Sequence, residues 1–360
     1  MSILKKELFK RQIALSEIGE VGQNKLQNAS VLVVGCGGLG GPVATYLASS
    51  GIGKLHLVDF DIIDVSNLHR QVFYAMDDVG KPKVEVLSEF IKKRAPFTEV
   101  THTKDAICKE NIYDVISEYD IVVDGTDSIP TKYLLNDACV IKNKPLVYGS
   151  LYKFDGYAST FNVLQKDGSY SSNLRDAFPE ITSEVPNCEE AGTLNSIVTM
   201  IAALQVNEVI KLITGIGKPL INKLLVYNSL QNTQLKVTLT SNFLKDRIAA
   251  LFKVETYFDP ACVSQNLDWQ ISAVELKKII DNSNLQLIAV LPNLKLPFQV
   301  HQIIPIQSFK PECIEVDYSK TYVLICQRGV NSEKATKIVK EKYPELNVLS
   351  LTGGISGYEN

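Results

Sequence analysis

The stretch Val31-Leu32-Val33-Val34-Gly35-Cys36-Gly37-Gly38-Leu39-Gly40 constrains this chain more than any other. Four apolar residues ending at a glycine read as a buried parallel strand. The glycines then open a strand-to-helix turn whose backbone N–H groups can approach a phosphate chain at a helix N-terminus. The same pattern also describes a tight turn with no ligand. Residues downstream of Gly40 have to separate a dinucleotide, ATP and nothing.

A helical pattern from Leu8 to Leu26, containing Arg11-Gln12-Ile13, precedes this strand. A helix from Gly40 to Ser50 comes after it, broken by Gly51 and Gly53, and a strand from Lys54 to Val58 ends at Asp59. That is a βαβ unit, with Asp59 placed to hydrogen-bond the ribose of a nucleotide. NAD and ATP fit equally up to this point. The segment from Asp59 to Val84 favours ATP, because Arg70, Lys81 and Lys83 lie within reach of the same site. In-line attack at phosphorus needs such cations to neutralise developing charge.

Further strands are expected near Val100, at Ile121–Asp124 and from Pro145 to Ser150, between helices Lys83–Ala95, Ile112–Tyr119 and Ile129–Lys142. Gly125-Thr126-Asp127-Ser128 then puts a carboxylate at the C-terminal edge of a parallel sheet, where α/β ligands bind; Asp127 also suits the N-cap of the helix Ile129–Lys142. From Gly156 to Val163 the pattern alternates, so antiparallel strands extend the sheet, with Leu224–Tyr227 and Gln234–Leu239 closing it. A polar loop from Asn173 to Pro186 leads to Cys188 and a helix from Thr193 to Leu212. A helix N-terminus lowers a thiol's pKa, but Glu189 and Glu190 oppose that, so the surroundings alone do not mark Cys188 as a nucleophile.

Near Asp268 the pattern restarts as a second, small α/β domain with helices Ala273–Asp281 and Ser332–Tyr343 and strands Leu285–Leu291, Thr321–Ile325 and Asn347–Leu351. Between strand and helix, Cys326-Gln327-Arg328-Gly329-Val330-Asn331-Ser332 forms a loop whose N–H groups can surround a thiolate or persulfide. The expected organisation is residues 1–240 as a nucleotide-binding domain, 241–267 as a linker and 268–360 as the second domain.

A net charge of −3 in 360 residues gives no basic footprint for nucleic acid. Composition, 45% hydrophobic and 21% charged, is that of ordinary globular protein. The N-terminal residues lack the apolar core of a signal peptide, and no apolar run is read as a membrane span, so no membrane association and a cytoplasmic protein are expected. Seven scattered cysteines argue against a disulfide framework.

From about Arg11 to Leu239 these motifs together resemble the ThiF/MoeB/HesA family, prokaryotic relatives of ubiquitin-activating enzymes. The resemblance implies a Rossmann-like α/β fold, a mostly parallel sheet extended by antiparallel strands. It places Gly35, Gly37, Gly38 and Gly40 in the nucleotide turn, Asp59 on the ribose, and Asn67, Arg70, Gln71 and Lys83 on the phosphates. It makes Arg11 a phosphate ligand reaching into a partner subunit's site, hence a homodimer, and Asp127 the Mg²⁺-associated acid. This chain has Ser128 and Lys132 where the family usually has Asn and Arg, and Asn136 keeps a family amide. Most members carry two Cys-x-x-Cys pairs for zinc. Here Ser169-Tyr170-Ser171-Ser172 replaces the first and Cys262 is a remnant of the second, so no zinc site is expected.

Cys188 matches a cysteine through which some members link covalently to their carrier. The loop at Cys326 and Gly353-Gly354-Ile355-Ser356-Gly357-Tyr358 resemble the rhodanese domain, although Ala289-Val290-Leu291 departs from its Asp-Val-Arg. The implied activity is ATP-dependent adenylation of the C-terminal Gly-Gly carboxylate of a small ubiquitin-like sulfur carrier, then sulfur transfer to a thiocarboxylate, in thiamine or molybdopterin synthesis. A cysteine desulfurase is an implied sulfur source. An NAD-binding oxidoreductase and a non-catalytic scaffold for a ubiquitin-like partner are the alternatives; the cations at Arg70 and Lys83 oppose the first.

Overall fold

A computed structural model describes residues 3–181, 192–255, 257, 269–280, 282–291, 296–327 and 329–358. Cys188, Cys262 and Arg328 lie outside the described residues. The chain divides into two compact units, Met1–Tyr257 and Phe258–Asn360.

The first unit opens with helices α1 (Ile3–Leu8), α2 (Lys10–Ile13) and α3 (Gly19–Asn28). The sequence pattern predicts one helix from Leu8 to Leu26; the chain instead turns before Gly19, whose φ of +54° no helix interior accommodates. The sheet contains β1 (Ser30–Val34), β2 (Lys54–Val58), β3 (Glu99–Thr103), β4 (Ile121–Asp124), β5 (Leu146–Tyr152), β6 (Asp155–Phe161), β7 (Lys223–Asn228) and β8 (Thr233–Thr238). Their order is β3-β2-β1-β4-β5-β6-β7-β8. The first five pair in parallel and the last three continue antiparallel from β5. The crevice between the ends of β1 and β4 is therefore where the strand order reverses, the position at which open α/β sheets take ligands.

Helices α4 (Gly40–Ser49), α5 (Lys83–Lys92) and α9 (Asn195–Thr214) cover one face, while α6 (Ile112–Ser117), α7 (Ile129–Lys142) and α10 (Lys245–Val254) cover the other. A short α8 (Leu174–Ala177) interrupts the expected loop after Asn173. Val31 and Val33 belong to the first core and Leu32 and Val34 to the second, which is why β1 reads as an unbroken apolar run. Helix α9 does match a membrane span in length and apolarity, contrary to the sequence reading. Its buried Ile197, Val198, Ile201 and Val209 are core residues, and Glu208 accepts from the Leu220 N–H and Thr160 hydroxyl.

The segment read as a linker, 241–267, is in part built into the first unit. Helix α10 stacks Phe252 on Tyr113, with ring centroids 4.9 Å apart. Tyr257 donates to Asp137 Oδ2 at 2.5 Å. The same carboxylate receives Arg175 Nε at 2.9 Å and Nη2 at 2.7 Å, and Arg175 is 1% exposed. Periodicity does not reveal this arrangement, since it joins residues from three distant segments. The Ser169–Ser172 loop is held by hydrogen bonds: Ser172 N–H donates to Asn222 Oδ1 at 2.7 Å and Ser171 Oγ accepts the Val163 N–H at 2.9 Å, while Asp176, in α8 beyond it, accepts the Asn242 and Phe243 N–H groups at 2.6 and 2.9 Å. Among the described residues no cluster of three or more metal-ligating side chains occurs.

The second unit holds β9 (Gln270–Ile271), β10 (Leu285–Ala289), β11 (Gln302–Ile303), β12 (Thr321–Ile325) and β13 (Val348–Leu351), in the order β11-β10-β12-β13-β9, all pairs parallel. Helices α11 (Ala273–Ile279), α12 (Val330–Lys342) and α13 (Gly354–Tyr358) accompany it. The two-residue edge strands β9 and β11 are too short to leave a sequence pattern.

Asp137→Ala strands the Arg175 guanidinium without its counter-ion, a change that costs about 3–5 kcal/mol for buried pairs. Urea denaturation of the full chain measures it, and a loss below about 1 kcal/mol contradicts the assigned role. A chelator is expected to leave the same transition unchanged.

Candidate active site

The end of β1 reaches the crevice through Gly35, at φ +88°. A Cβ on Gly35 would lie 2.7 Å from the Gly125 carbonyl oxygen, and a Cβ on Gly40 would overlap the Gly35 carbonyl. Two turns and a helix start thus meet backbone to backbone, which only glycine permits. Gly35 and Gly40 act through this packing, while Gly37 and Gly38 are partly open to solvent. Leu39, at the N-cap of α4, has no side-chain oxygen, so the first turn carries no side-chain cap. That helix end is suited to an anion.

Asp59 sits beside this turn, buried, with Oδ2 accepting the Cys36 N–H at 2.6 Å and Oδ1 the Asp61 N–H at 2.8 Å. Burial raises its carboxyl above the ordinary value, against the pull of Lys83 and the two amides. Lys83, at the start of α5, pairs with Asp61 at 2.8 Å. Burial alone lowers its ammonium, but Asp59, Asp61 and, more weakly, Asp127 hold it above the ordinary lysine value. Its charge is therefore complete below the usual lysine pKa and is lost only as pH rises through the elevated one. Tyr74 donates to the Cys36 carbonyl at 2.7 Å and, pushed far up by burial, stays a neutral donor.

The segment after Asp61 positions the other expected phosphate ligands. Asp64 and Asn67 cap each other's backbone, with Asp64 Oδ1 accepting the Ser66 N–H at 2.8 Å and Asn67 Oδ1 the Asp64 N–H at 3.4 Å. The Asn67 carbonyl then takes the N–H groups of Arg70 and Gln71 at 3.1 and 3.0 Å. Gln71 is buried beside Gly37, and its Oε1 has no hydrogen-bond partner. A buried acceptor left open next to a glycine turn fits a ligand that the turn would hold. Arg70 is half-buried against Gly38 and donates to the Ser66 carbonyl at 3.1 Å.

Asp127 is exposed at the far side of the crevice, on a loop fixed from behind. Asp124 Oδ1 accepts the Thr126 N–H and hydroxyl at 3.0 and 2.8 Å. Lys132, 5% exposed, donates to Asp124 Oδ2 at 3.0 Å and to the Thr126 and Gly149 carbonyls at 2.7 Å each. All three donors of the ammonium are used, so Lys132 is a clamp on the loop rather than a nucleotide contact. Gln205 adds a second brace from α9, donating to the Asp124 carbonyl at 2.7 Å. Ser128 caps α7, its Oγ accepting the Thr131 N–H at 3.1 Å. Asn136 is buried in α7, where it accepts the Leu174 N–H at 2.8 Å and donates to Asp137 Oδ1 at 2.9 Å.

The structure thus gathers Asp59, Lys83, Asp127, Gln71 and Arg70 around the glycine turn. It does not bring Arg11 there: that side chain is exposed on α2 and has no ion pair among the described residues of this chain. Cys188 lies outside the described residues, and Cys326 belongs to the second unit. Sequence reasoning missed Asp61, Lys132 and Gln205 as site supports. The Asp59-Phe60-Asp61 alternation is a local signal for Asp61, and the family position of Lys132 marks that residue without showing that it clamps the loop; Gln205 has no local signal.

The sequence profile of the ThiF family matches residues 9–246. The probable adenylyltransferase/sulfurtransferase MoeZ of Mycobacterium tuberculosis is 36% identical over 96% of this chain and 91% of its own length. The sulfur carrier protein adenylyltransferase of Thermus thermophilus is 40% identical over 65% of this chain and 87% of its own. Among solved structures, Escherichia coli MccB with ATP superposes with a TM-score of 0.53 at 29% identity, covering 62% of this chain and 67% of MccB.

Lys132→Met removes the donor from three buried acceptors and is expected to destabilise the chain by about 3 kcal/mol in urea. Arg70→Ala, at a half-exposed position, is expected to change stability by under about 0.5 kcal/mol. Equal losses from the two would contradict the division between clamp and open site.

Proposed function

Because this chain belongs to the ThiF family, we propose that it adenylates the C-terminal Gly-Gly carboxylate of a small ubiquitin-like sulfur carrier with ATP and then places sulfur on it. The observation that carries this reading is the convergence of Asp59, Lys83 and Asp127 on the glycine turn at the β1–β4 crevice.

A carboxylate is a poor acyl donor because oxide is a bad leaving group. In the proposed reaction one of its oxygens attacks the α-phosphorus of ATP and pyrophosphate departs, giving an acyl-adenylate. Asp59 holds the ribose, and Gly37, Gly38 and the α4 N-terminus receive phosphate oxygens. Arg70 and Lys83, with Asn67 and Gln71 beside them, offset the charge that builds at phosphorus. Arg11 joins them from a second copy in a homodimer, which suits its exposure here. Asp127 is the residue that would hold Mg²⁺, which when bound neutralises phosphate charge.

A persulfide on Cys326 then attacks the acyl carbon, directly or after transfer of its sulfur to Cys188, and AMP leaves. Attack by a second thiol on the linking disulfide frees the thiocarboxylate. A cysteine desulfurase is the proposed source of the persulfide sulfur. Joining donor and activator in one chain raises the donor's effective concentration at the adenylate. Thiamine and molybdopterin synthesis both use such a carrier, and the site chemistry is common to them.

ATP–pyrophosphate exchange should depend on a carrier ending in Gly-Gly. Asp127→Ala is expected to abolish it, and unchanged exchange would remove the mechanism. Cys326→Ser should leave exchange intact and lose the thiocarboxylate; full thiocarboxylate yield would show that the second unit is not the donor.

A further inference from the structure

Cys326 comes directly after β12 in the second unit and is 2% exposed. Its Sγ lies 3.4 Å from Ser332 Oγ, in the first turn of α12. Ser332 donates to the Gly329 carbonyl at 2.9 Å and accepts from Ser350 Oγ, on β13, at 2.9 Å. Ser332 and Ser350 are 0% and 2% exposed, so no water competes for these bonds. Glu333, the next residue on α12, accepts from Gln270 of β9 at 3.4 Å and is pushed up to about 7 by burial, with Lys337 one turn on.

A serine hydroxyl has one proton and two lone pairs. Beside a neutral thiol the count closes: Ser332 donates to Gly329 and accepts from Ser350 and from the Cys326 S–H. When the sulfur is a thiolate, its donor is gone. The Ser332 proton can then swing to the sulfur while Ser350 continues to donate to Ser332. A hydrogen bond to a charged acceptor is about twice as strong as one to a neutral carbonyl, which sets the direction of the swing. The α12 N-terminus adds its partial positive charge.

We infer that Ser332, backed by Ser350, is a positioning residue for sulfur release, turning its hydroxyl from the Gly329 carbonyl to Cys326 Sγ as that atom becomes the leaving thiolate. The inference rests on the reading of Cys326 as a sulfur donor, by the route in which its outer sulfur passes to a second acceptor such as Cys188. In release, an acceptor attacks the outer sulfur of Cys326–S–S⁻. The new bond forms there, the S–S bond breaks, and its electron pair goes to Sγ. Cyanide makes the balance plain: persulfide and cyanide give thiocyanate and the Cys326 thiolate. Loading from thiosulfate is the complementary step, in which the thiolate takes the outer sulfur and sulfite leaves with the electron pair.

The test uses the full chain, loaded with thiosulfate, freed of excess and mixed with cyanide, and tracks thiocyanate in a single turnover. Ser332→Ala is expected to slow release about tenfold, and Ser350→Ala, which keeps the donating hydroxyl, by no more than about threefold. A Ser332→Ala rate within about twofold of wild type, or equal losses from both variants at unchanged melting temperature, would overturn the inference. If the wild type yields no thiocyanate, the sulfur-donor reading fails, and the thiolate's ultraviolet absorbance decides the hydroxyl's role. Taken as the difference from Cys326→Ser at mildly alkaline pH, it falls several-fold in Ser332→Ala if the hydroxyl serves the thiolate and stays constant if it does not.

Discussion

The backbone contact between Gly35, Gly40 and Gly125 is the constraint on which the candidate site depends. The ends of β1 and β4 can converge on the start of α4 only because none of the three carries a Cβ. Their approach narrows the crevice floor and leaves the uncapped α4 N-terminus facing it. Asp59 and Lys83 then add opposite charges at one wall. A side chain on any of the three would force apart the strand ends that aim these groups.

Buried charge serves two purposes in the first unit. Lys132 is a cation whose three donors are all spent on carbonyls and a carboxylate, and each nitrogen of Arg175 likewise donates to the Pro179 carbonyl or the Asp137 carboxylate, so they fix loops. Lys83 and Arg70 are held at one or two points each and keep donors available for a ligand. Burial alone does not distinguish the two classes. The number of acceptors already satisfied does, and it moves Lys132 out of the nucleotide set in which its sequence position would place it.

Much of this was legible in the sequence because the signals are local. The apolar run of β1, the glycines after it and the carboxylates at the strand ends specify a parallel sheet and its crevice without reference to anything distant. The features that were not legible are long-range. Asp137, Arg175 and Tyr257 come together from three segments, and α10 is held by stacking on Tyr113 across the fold, so its residues read as linker. The pairing of Ser332 with Ser350 likewise joins a helix to a strand with nothing in either local pattern to announce it. The span-like apolarity of α9 was also missed, because Asn195, Asn207, Glu208 and Lys211 interrupt its apolar residues in the sequence, whereas in the fold it is a core helix with Ile197, Val198, Ile201 and Val209 buried.

In the proposed reaction a carrier carboxylate attacks the α-phosphorus of ATP, and sulfur later displaces AMP from the acyl carbon. Oxygen-18 in both carboxylate oxygens of a Gly-Gly carrier traces that path directly, read by mass spectrometry of the nucleotide and phosphate products. One labelled oxygen is expected in AMP, carried there by the bond that forms at phosphorus and breaks at carbon. Unlabelled AMP, or label in inorganic phosphate, would contradict this chemistry.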